Sequence, residues 1–242
     1  MQLYLKNKQL DFLKGEVIPV NKPYKWTSFD VVNKIRTLIK FAGGIKIKIG
    51  HAGTLDPLAT GLLILCTGKL TKKIKEFQDM EKEYTGTITL GATTPSFDLE
   101  TEIDEIFDIS HINAQQIIKA TKNFIGNIQQ IPPCFSAKKI NGKKAYEYAR
   151  KKEKIILEPR NVTISKFEIT NIDLPNVDFK VICSKGTYIR SLAYDFGKSL
   201  TSGAYLSSLC RIRIGNIKLE DAFEIKDIKQ KIENTYYFKK NI

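Results

Sequence analysis

The sequence is poor in residues that bind metals, form disulfides or cross membranes. Its 242 residues include four cysteines and two histidines, and the cysteines are widely spaced without a Cys-x-x-Cys pair. We therefore expect reduced thiols and no metal site. No apolar run approaches the roughly 20 residues of a membrane span. No Gly-x-Gly-x-x-Gly or phosphate-loop motif is present, so no cofactor is expected. Residues 1–13 lack the apolar core of a signal peptide, which favours a cytoplasmic protein.

Acidic residues are also scarce relative to basic ones. The chain has 39 Lys and Arg against 26 Asp and Glu, a net charge of +13. Such an excess indicates a polyanionic partner, nucleic acid first and a membrane surface second. A general bias towards lysine and isoleucine is an alternative explanation for part of it.

The most informative stretch is residues 50–65, which reads Gly-His-Ala-Gly-Thr-Leu-Asp-Pro-Leu-Ala-Thr-Gly-Leu-Leu-Ile-Leu. Pro57 restricts Asp56 to extended conformations, so the carboxylate has a defined direction. The following residues 62–66 are short, apolar throughout and bounded by Thr-Gly on both sides, which predicts a buried strand. A carboxylate at the end of a rigid core strand is suited to catalysis. The alternative is that Asp56-Pro57 is only a turn.

Other patterns predict the flanking elements. Residues 17–23 read as a strand stopped by Pro23, and Thr27 or Ser28 is expected to cap the next helix. Ser110 is expected to cap a later helix. Asn141-Gly142 is a strong hairpin signal.

The run from His51 to Leu63 closely resembles the signature of the TruB family, the bacterial tRNA pseudouridine-55 synthases. A second match is the Gly-Thr-Tyr-Ile-Arg-Ser-Leu…Asp-x-Gly pattern at residues 186–197, and the resemblance extends over about residues 17–223. It implies the pseudouridine synthase fold: an α/β protein of α+β type with a mixed, largely antiparallel sheet, flanking helices and a central catalytic cleft.

The resemblance also implies roles for individual residues. Asp56 would be the nucleophile, attacking either the ribose or the uracil ring, with Arg190 as its ionic partner. Tyr84 would stack on the uracil, and its hydroxyl is a candidate for proton transfer at C5. Tyr188 and Leu209 would line the pocket.

His51 would fill the space left when the target uridine flips out of its stack. The alternatives for His51 are a general base or a solvent-exposed side chain. Where the family usually has Leu-Arg-Arg, this chain has Leu209-Cys210-Arg211, which puts one phosphate contact in doubt.

The expected organisation is a catalytic domain over residues 1–223 with an RNA-gripping insertion at about 132–152. Residues 224–242 read as a short basic tail, too short for a core of its own. Bacterial members of the family typically continue into an RNA-binding domain of the PUA type, which we do not expect here.

The predicted function is isomerisation of U55 in the T-loop of tRNA, after base flipping, by a monomer that binds the T-arm. One rival is the related catalytic subunit of guide-RNA complexes. The other is a non-catalytic RNA-binding or tRNA-folding protein, since basic charge and aromatic residues serve either role.

Overall fold

The computed structural model describes residues 10–136, 139–140, 142–151, 153 and 155–240. This part of the chain forms thirteen β-strands and six α-helices. The strands are β1 (Val17–Lys22), β2 (Ile49–His51), β3 (Thr60–Thr67), β4 (Lys82–Leu90), β5 (Ala92–Thr93), β6 (Glu105–Ile106), β7 (Gly126–Gln130), β8 (Lys139–Ile140), β9 (Lys143–Lys144), β10 (Arg160–Asp173), β11 (Asn176–Cys183), β12 (Ala204–Ile214) and β13 (Ile217–Lys218). The helices are α1 (Ser28–Gly43), α2 (Ile74–Asp79), α3 (Ala114–Thr121), α4 (Ala145–Arg150), α5 (Ile189–Ser199) and α6 (Ile225–Lys240).

Nine strands form one sheet in the order β1-β3-β12-β4-β11-β10-β7, with β2 paired to β3 and β13 to β12. The pairs β1–β3, β2–β3, β10–β11, β7–β10 and β12–β13 are antiparallel. The pair β3–β12 is parallel. The predicted fold class, a mixed and largely antiparallel sheet flanked by helices, is confirmed. None of the helices in the described part has the length and apolar content to span a bilayer.

The chain folds as two compact units. Unit 1 contains the described residues up to Glu83 together with those from Cys210 onward, and unit 2 is Tyr84–Leu209. Unit 1 is thus assembled from the two ends of the described chain, and unit 2 is continuous in sequence.

Strand β3 is the centre of unit 1. Leu63 and Leu65 lie in one core cluster with α1 and α6, while Leu62, Ile64 and Cys66 lie in another with the end of β12. Successive side chains of a strand point to opposite faces, so β3 is buried on both. The predicted buried strand at residues 62–66 is confirmed.

Helix α6 lies within residues 224–242. Its Ile228 and Ile232 are fully buried in the same cluster as Ile35 of α1 and Leu63 of β3. The helix therefore completes the core of unit 1 and needs no core of its own.

The core of unit 2 includes a cluster of aromatic rings. Phe167 of β10 lies 5.4 Å from Phe196 of α5 and 6.0 Å from Phe179 of β11, centroid to centroid. Both pairs are edge-to-face, the geometry that aromatic rings prefer. This packing fixes α5 on the sheet.

The helix-start predictions had mixed outcomes. Thr27 caps α1 and forms a capping box with Asp30, as predicted. The Ser110 prediction was wrong, because Asn113 caps α3 and Ser110 bonds to Asp108 instead. Strands β8 and β9 pair antiparallel, as the hairpin signal predicts; Asn141 itself is outside the described residues.

Candidate active site

The loop that carries Asp56 is the connection 52–59 between β2 and β3. Strand β2 pairs with the far end of β3, and the Ala52 N–H donates to the Ile64 carbonyl at 2.9 Å, so the loop starts and ends on one buried strand. The Ala59 N–H donates to the Asp56 carbonyl at 3.1 Å, which makes Asp56 the first residue of a turn. Asp56 is half-buried. The turn at Asp56-Pro57 is therefore present, and the catalytic role of the carboxylate stays a prediction.

The residue before Asp56 is clamped to the start of α1. The Leu55 N–H donates to Ser28 Oγ at 2.9 Å, and that hydroxyl donates to the Leu55 carbonyl at 3.1 Å. Ser28 and Leu55 are both buried. One serine therefore satisfies both backbone polar groups of Leu55, which fixes the backbone that leads into Asp56.

Beneath the loop lies the ammonium of Lys22, a residue with no exposed surface. Its Nζ donates to the carbonyls of Pro23 at 2.9 Å, Trp26 at 2.6 Å and Pro57 at 3.3 Å. An ammonium has three protons to donate, and here three carbonyls accept them. Lys22 thus ties the end of β1, the turn before α1 and the Asp56 loop together.

Burial lowers the pKa of Lys22 to about 8, and the Asp56 carboxylate opposes this shift more than any other group. The Arg211 guanidinium lowers the pKa further and Asp30 raises it. The attraction between Lys22 and Asp56 is mutual, so the ammonium favours an ionised Asp56 carboxylate.

Arg211 holds the other side of the loop. It is 1% exposed, and it donates from Nε to the Leu62 carbonyl at 2.7 Å and from Nη2 to the Gly53 carbonyl at 3.0 Å. Gly61 has a φ of +101°, and a Cβ there would collide with the Arg211 backbone. Arg211 is therefore a buried structural residue, and its neighbour Cys210 is half-buried.

His51 ends β2 and is half-buried. Desolvation lowers its pKa, the Arg211 charge lowers it further, and the Gly53 backbone acts in the opposite direction. The imidazole is consequently held neutral at physiological pH. A neutral ring sheds less hydration than a cation when it stacks against a base.

In unit 2, Arg190 of α5 is buried against the loop 94–101. Its Nε lies 3.5 Å from an Asp98 carboxylate oxygen, and both side chains are less than a tenth exposed. Its Nη1 and Nη2 donate to the carbonyls of Ser96 at 3.1 Å and Phe135 at 2.9 Å. The guanidinium is thereby fixed in position and direction.

Asp98 is itself held by its surroundings. Thr94 and Ser96 donate from their hydroxyls to its carbonyl at 2.7 and 3.1 Å, and the Glu100 N–H donates to its carboxylate at 2.9 Å. The ion pair with Arg190 is therefore built on a rigid loop.

Tyr188, the residue before α5, is gripped by an amide side chain. Gln130 is buried, accepts from the Tyr188 N–H at 2.7 Å and donates to the Tyr188 carbonyl at 2.9 Å. The Arg160 guanidinium lies 5.5 Å from the centroid of the Tyr188 ring. Gln130 and Arg160 thus fix the backbone and the ring of Tyr188 from separate strands.

The remaining predicted residues of unit 2 lie on strands. Tyr84 of β4 is buried and Leu209 of β12 is half-buried. Within the expected insertion, Arg150 of α4 lies 5.2 Å from the Tyr146 ring centroid and 3.5 Å from a carboxylate oxygen of Glu100.

The predicted site residues divide between the two units. Unit 1 carries His51 and Asp56 on one loop, and unit 2 carries Tyr84, Tyr188, Arg190 and Leu209. The pairing of Asp56 with Arg190 stays a prediction. No group of three or more histidine, cysteine, aspartate or glutamate side chains that could hold a metal ion occurs among the described residues.

Five residues that hold the site in place received only a structural role, or no role, in the sequence analysis. Each makes at least one contact with a residue more than 25 positions away, which local sequence does not reveal. They are Lys22, Ser28, Asp98, Gln130 and Arg211.

The family model described as "TruB family pseudouridylate synthase (N terminal domain)" matches residues 38–189, more than half of the chain. The chain is a member of the TruB family.

Two relatives named tRNA pseudouridine synthase B show how far the likeness extends. The protein of Flavobacterium johnsoniae is 54% identical over 92% of this chain and 98% of its own length. That of Phocaeicola vulgatus is 52% identical over 91% of this chain and 94% of its own length.

Among solved structures, one chain in a crystal structure of a Cbf5–Nop10–Gar1 complex matches with a TM-score of 0.70 and 28% identity. The match covers 95% of this chain but only 57% of that longer one.

Proposed function

We propose that the protein isomerises uridine 55 in the T-loop of tRNA to pseudouridine, with Asp56 as the nucleophile. The observation that carries this proposal is the Asp56 loop, which Ser28, Lys22 and Arg211 hold from three sides. Relatives that share about half of the sequence over nearly their whole length are named tRNA pseudouridine synthase B.

The reaction breaks the N1–C1′ bond, turns the uracil over and joins C5 to C1′. It is redox-neutral. Asp56 attacks the ribose or the uracil ring while Lys22 favours its ionised form. Arg190, oriented by Asp98, is the ionic partner we assign to the nucleophile in the substrate complex.

The uracil must be held in a pocket while it turns over, and aromatic and apolar residues line that pocket. Tyr84 stacks on the uracil, and its hydroxyl is the candidate for proton transfer at C5. Tyr188, fixed by Gln130, and Leu209 line the pocket. His51 takes the place of the flipped uridine in its stack, where an uncharged imidazole is suited to stacking.

We also propose a domain organisation, an oligomeric state and a cellular location for the enzyme. The catalytic domain is assigned to residues 1–223, with α6 (Ile225–Lys240) packed into its core. Residues of about 132–152 grip the RNA, and the enzyme works on the T-arm of tRNA as a cytoplasmic monomer. The net charge of +13 supports binding to a polyanion.

The test is tritium release from tRNA labelled at uracil C5. The native protein should release tritium from one uridine, and Asp56→Asn should release none, because the amide is not a nucleophile. Asp227→Asn, which changes an exposed carboxylate of the same unit, is the matched control and should keep full activity.

The rivals predict different results in the same assay. Tight tRNA binding without release by the native protein would leave a binding or folding module. Release only when a guide RNA and accessory proteins are added would favour the guide-RNA subunit, the alternative to which the Cbf5–Nop10–Gar1 likeness points.

A further inference from the structure

The turn between β1 and α1 is docked on the catalytic loop. The Lys25 N–H donates to the carbonyl of Pro57, the residue after Asp56, at 2.9 Å. Lys22 Nζ donates to the same carbonyl at 3.3 Å and to those of Pro23 and Trp26 on the turn. Whatever the turn presents to solvent is therefore held in fixed relation to the Asp56 backbone.

Lys25 occupies a backbone conformation that suits glycine. Its φ is +65°, and among the described residues only Phe97 and Thr201 share a positive φ without being glycine. A Cβ in this region clashes with the following carbonyl, so a glycine would relieve strain. The chain carries a lysine here despite this cost, and strained residues of this kind concentrate at functional sites.

The Lys25 side chain has no use inside the protein that would explain that cost. It is exposed, and its ammonium takes part in none of the ion pairs among the described residues. Its Nζ lies 5.8 Å from the ring centroid of Tyr24, which is itself 51% exposed. Phe29, in the first turn of α1, is 59% exposed. The result is an exposed cation over the exposed ring of Tyr24.

We propose that Tyr24 and Lys25 form a contact for the RNA strand next to the target uridine. Lys25 pairs with a backbone phosphate, and Tyr24 stacks on a neighbouring unpaired base. Cations that neutralise phosphates and rings that stack on splayed bases are the means by which proteins hold single-stranded RNA segments. This inference rests on the proposed function, because it takes the Asp56 loop as the place where the uridine reacts.

The electrostatic part is tested with Lys25→Gly, which removes the charge and relieves the positive φ. Its KM for an unmodified tRNA transcript should rise by about three- to tenfold with kcat unchanged, the loss of one exposed phosphate contact. The slope of log affinity against log salt should become shallower by about 0.7–0.9, one released counterion. Lys25→Arg should retain both values.

Two controls distinguish the loss of the Lys25 charge from the relief of backbone strain and from a change in protein stability. Thr201→Gly relieves a positive φ of +57° in unit 2 and should leave KM and the salt slope unchanged. Both glycine variants should keep the native melting temperature or raise it by up to about 4 °C, since a glycine relaxes the backbone.

The stacking part is tested with Tyr24→Ala against Tyr24→Phe. Alanine should weaken tRNA binding about fivefold or more with the salt slope unchanged, because stacking carries no charge, and phenylalanine should bind as the native protein does.

An unchanged KM and salt slope in Lys25→Gly, with native activity intact, would overturn the inference. So would an equal loss in Lys25→Gly and Lys25→Arg, because arginine keeps the positive charge and the loss would then not follow it. If the native protein makes no pseudouridine, the proposed function fails on its own, and the salt slopes of tRNA binding still decide whether Lys25 contacts phosphate.

Discussion

At the scale of single residues, the site depends on buried charges that donate hydrogen bonds to backbone carbonyls. Lys22 donates to three carbonyls, Arg211 to two, and Arg190 combines two carbonyls with the Asp98 carboxylate. Buried charges are tolerated only when they are paired and hydrogen-bonded, so each of these residues fixes the backbone around it.

Lys22 gives a prediction on pH. Burial lowers its pKa from 10.5 to about 8, so between these two values the unfolded chain holds the proton that the folded chain has released. The penalty for charging buried Lys22 is full below pH 8 and disappears towards pH 10.5, and the stability of the native protein rises over that window. Relative to Lys22→Met, which cannot titrate, the free energy of unfolding should increase by up to about 3 kcal/mol.

Urea denaturation of the two proteins between pH 7 and pH 10.5 measures this difference. Lys226→Met, which removes an exposed lysine of α6, should show no such trend against the native protein. A difference between native protein and Lys22→Met that stays flat across the window would contradict the prediction.

Asp98 gives a second prediction at this scale. In Asp98→Asn the Arg190 guanidinium stays buried without its carboxylate, so the free energy of unfolding should fall by about 3–5 kcal/mol. Glu100→Gln removes the exposed partner of Arg150 and should cost less than about 1 kcal/mol. Urea denaturation compares the two variants. Equal losses of unfolding free energy would show that the buried Asp98–Arg190 pair stabilises the protein no more than the exposed Glu100–Arg150 pair.

Residue roles were only partly readable from the sequence. Asp56 and Arg190 lie in long and specific motifs, so the resemblance assigns roles to them, and these roles stay predictions. Asp98 lies 92 positions before Arg190 in a loop without a periodic pattern, and Gln130 grips Tyr188 across 58 positions. Local chemistry does not reveal a contact that only the fold creates.

At the scale of elements, the Asp56 loop is positioned by the start of a helix. Thr27 satisfies the helix terminus, which leaves Ser28 free to bond both backbone groups of Leu55. The sequence offered Thr27 and Ser28 as equivalent caps, because both residue types cap helices. Only the packing of the loop distinguishes them.

Ser28→Ala should therefore affect the loop more than the helix. It leaves the Leu55 N–H and carbonyl buried without partners, at a cost of about 1–3 kcal/mol. We expect kcat to fall with little change in KM, because Asp56 loses its direction while the RNA contacts remain. Ser110→Ala, which loses only an exposed bond to Asp108, is the control; a matching effect on kcat would refute the positioning role.

Strands with an unbroken apolar run, such as β3, were predictable because burial on both faces leaves a plain signature. Short helices were less so. The start of α3 was misplaced by three residues, since Ser110 and Asn113 are both good caps and the sequence 110–113 does not say which one the helix uses.

At the scale of the whole molecule, unit 1 is discontinuous. Strand β3 pairs in parallel with β12, and α6 packs against α1, so the last part of the described chain completes a core begun by the first. A basic, lysine-rich sequence at residues 224–242 did not reveal this, because its two deeply buried isoleucines are few and its charges many.

Ile232→Ala tests the contribution of α6. It empties a fully buried site and should lower the free energy of unfolding by about 2–5 kcal/mol. Gln230→Ala, on the exposed face of the same helix, should change it by less than about 0.5 kcal/mol. Thermal or urea denaturation measures both, and a small effect of Ile232→Ala would mean that the core of unit 1 is stable without the helix.

The parallel pairing of β3 with β12 also sets an order of events during translation. Arg211 donates hydrogen bonds to the carbonyls of Leu62 and Gly53, and it is synthesised about 150 residues after them. On the ribosome, unit 2 has all of its residues before unit 1 does. A nascent chain that has exposed the Asp56 loop thus still lacks the strand that shapes it, and the loop acquires its Arg211 contacts only after residues 204–214 have been synthesised.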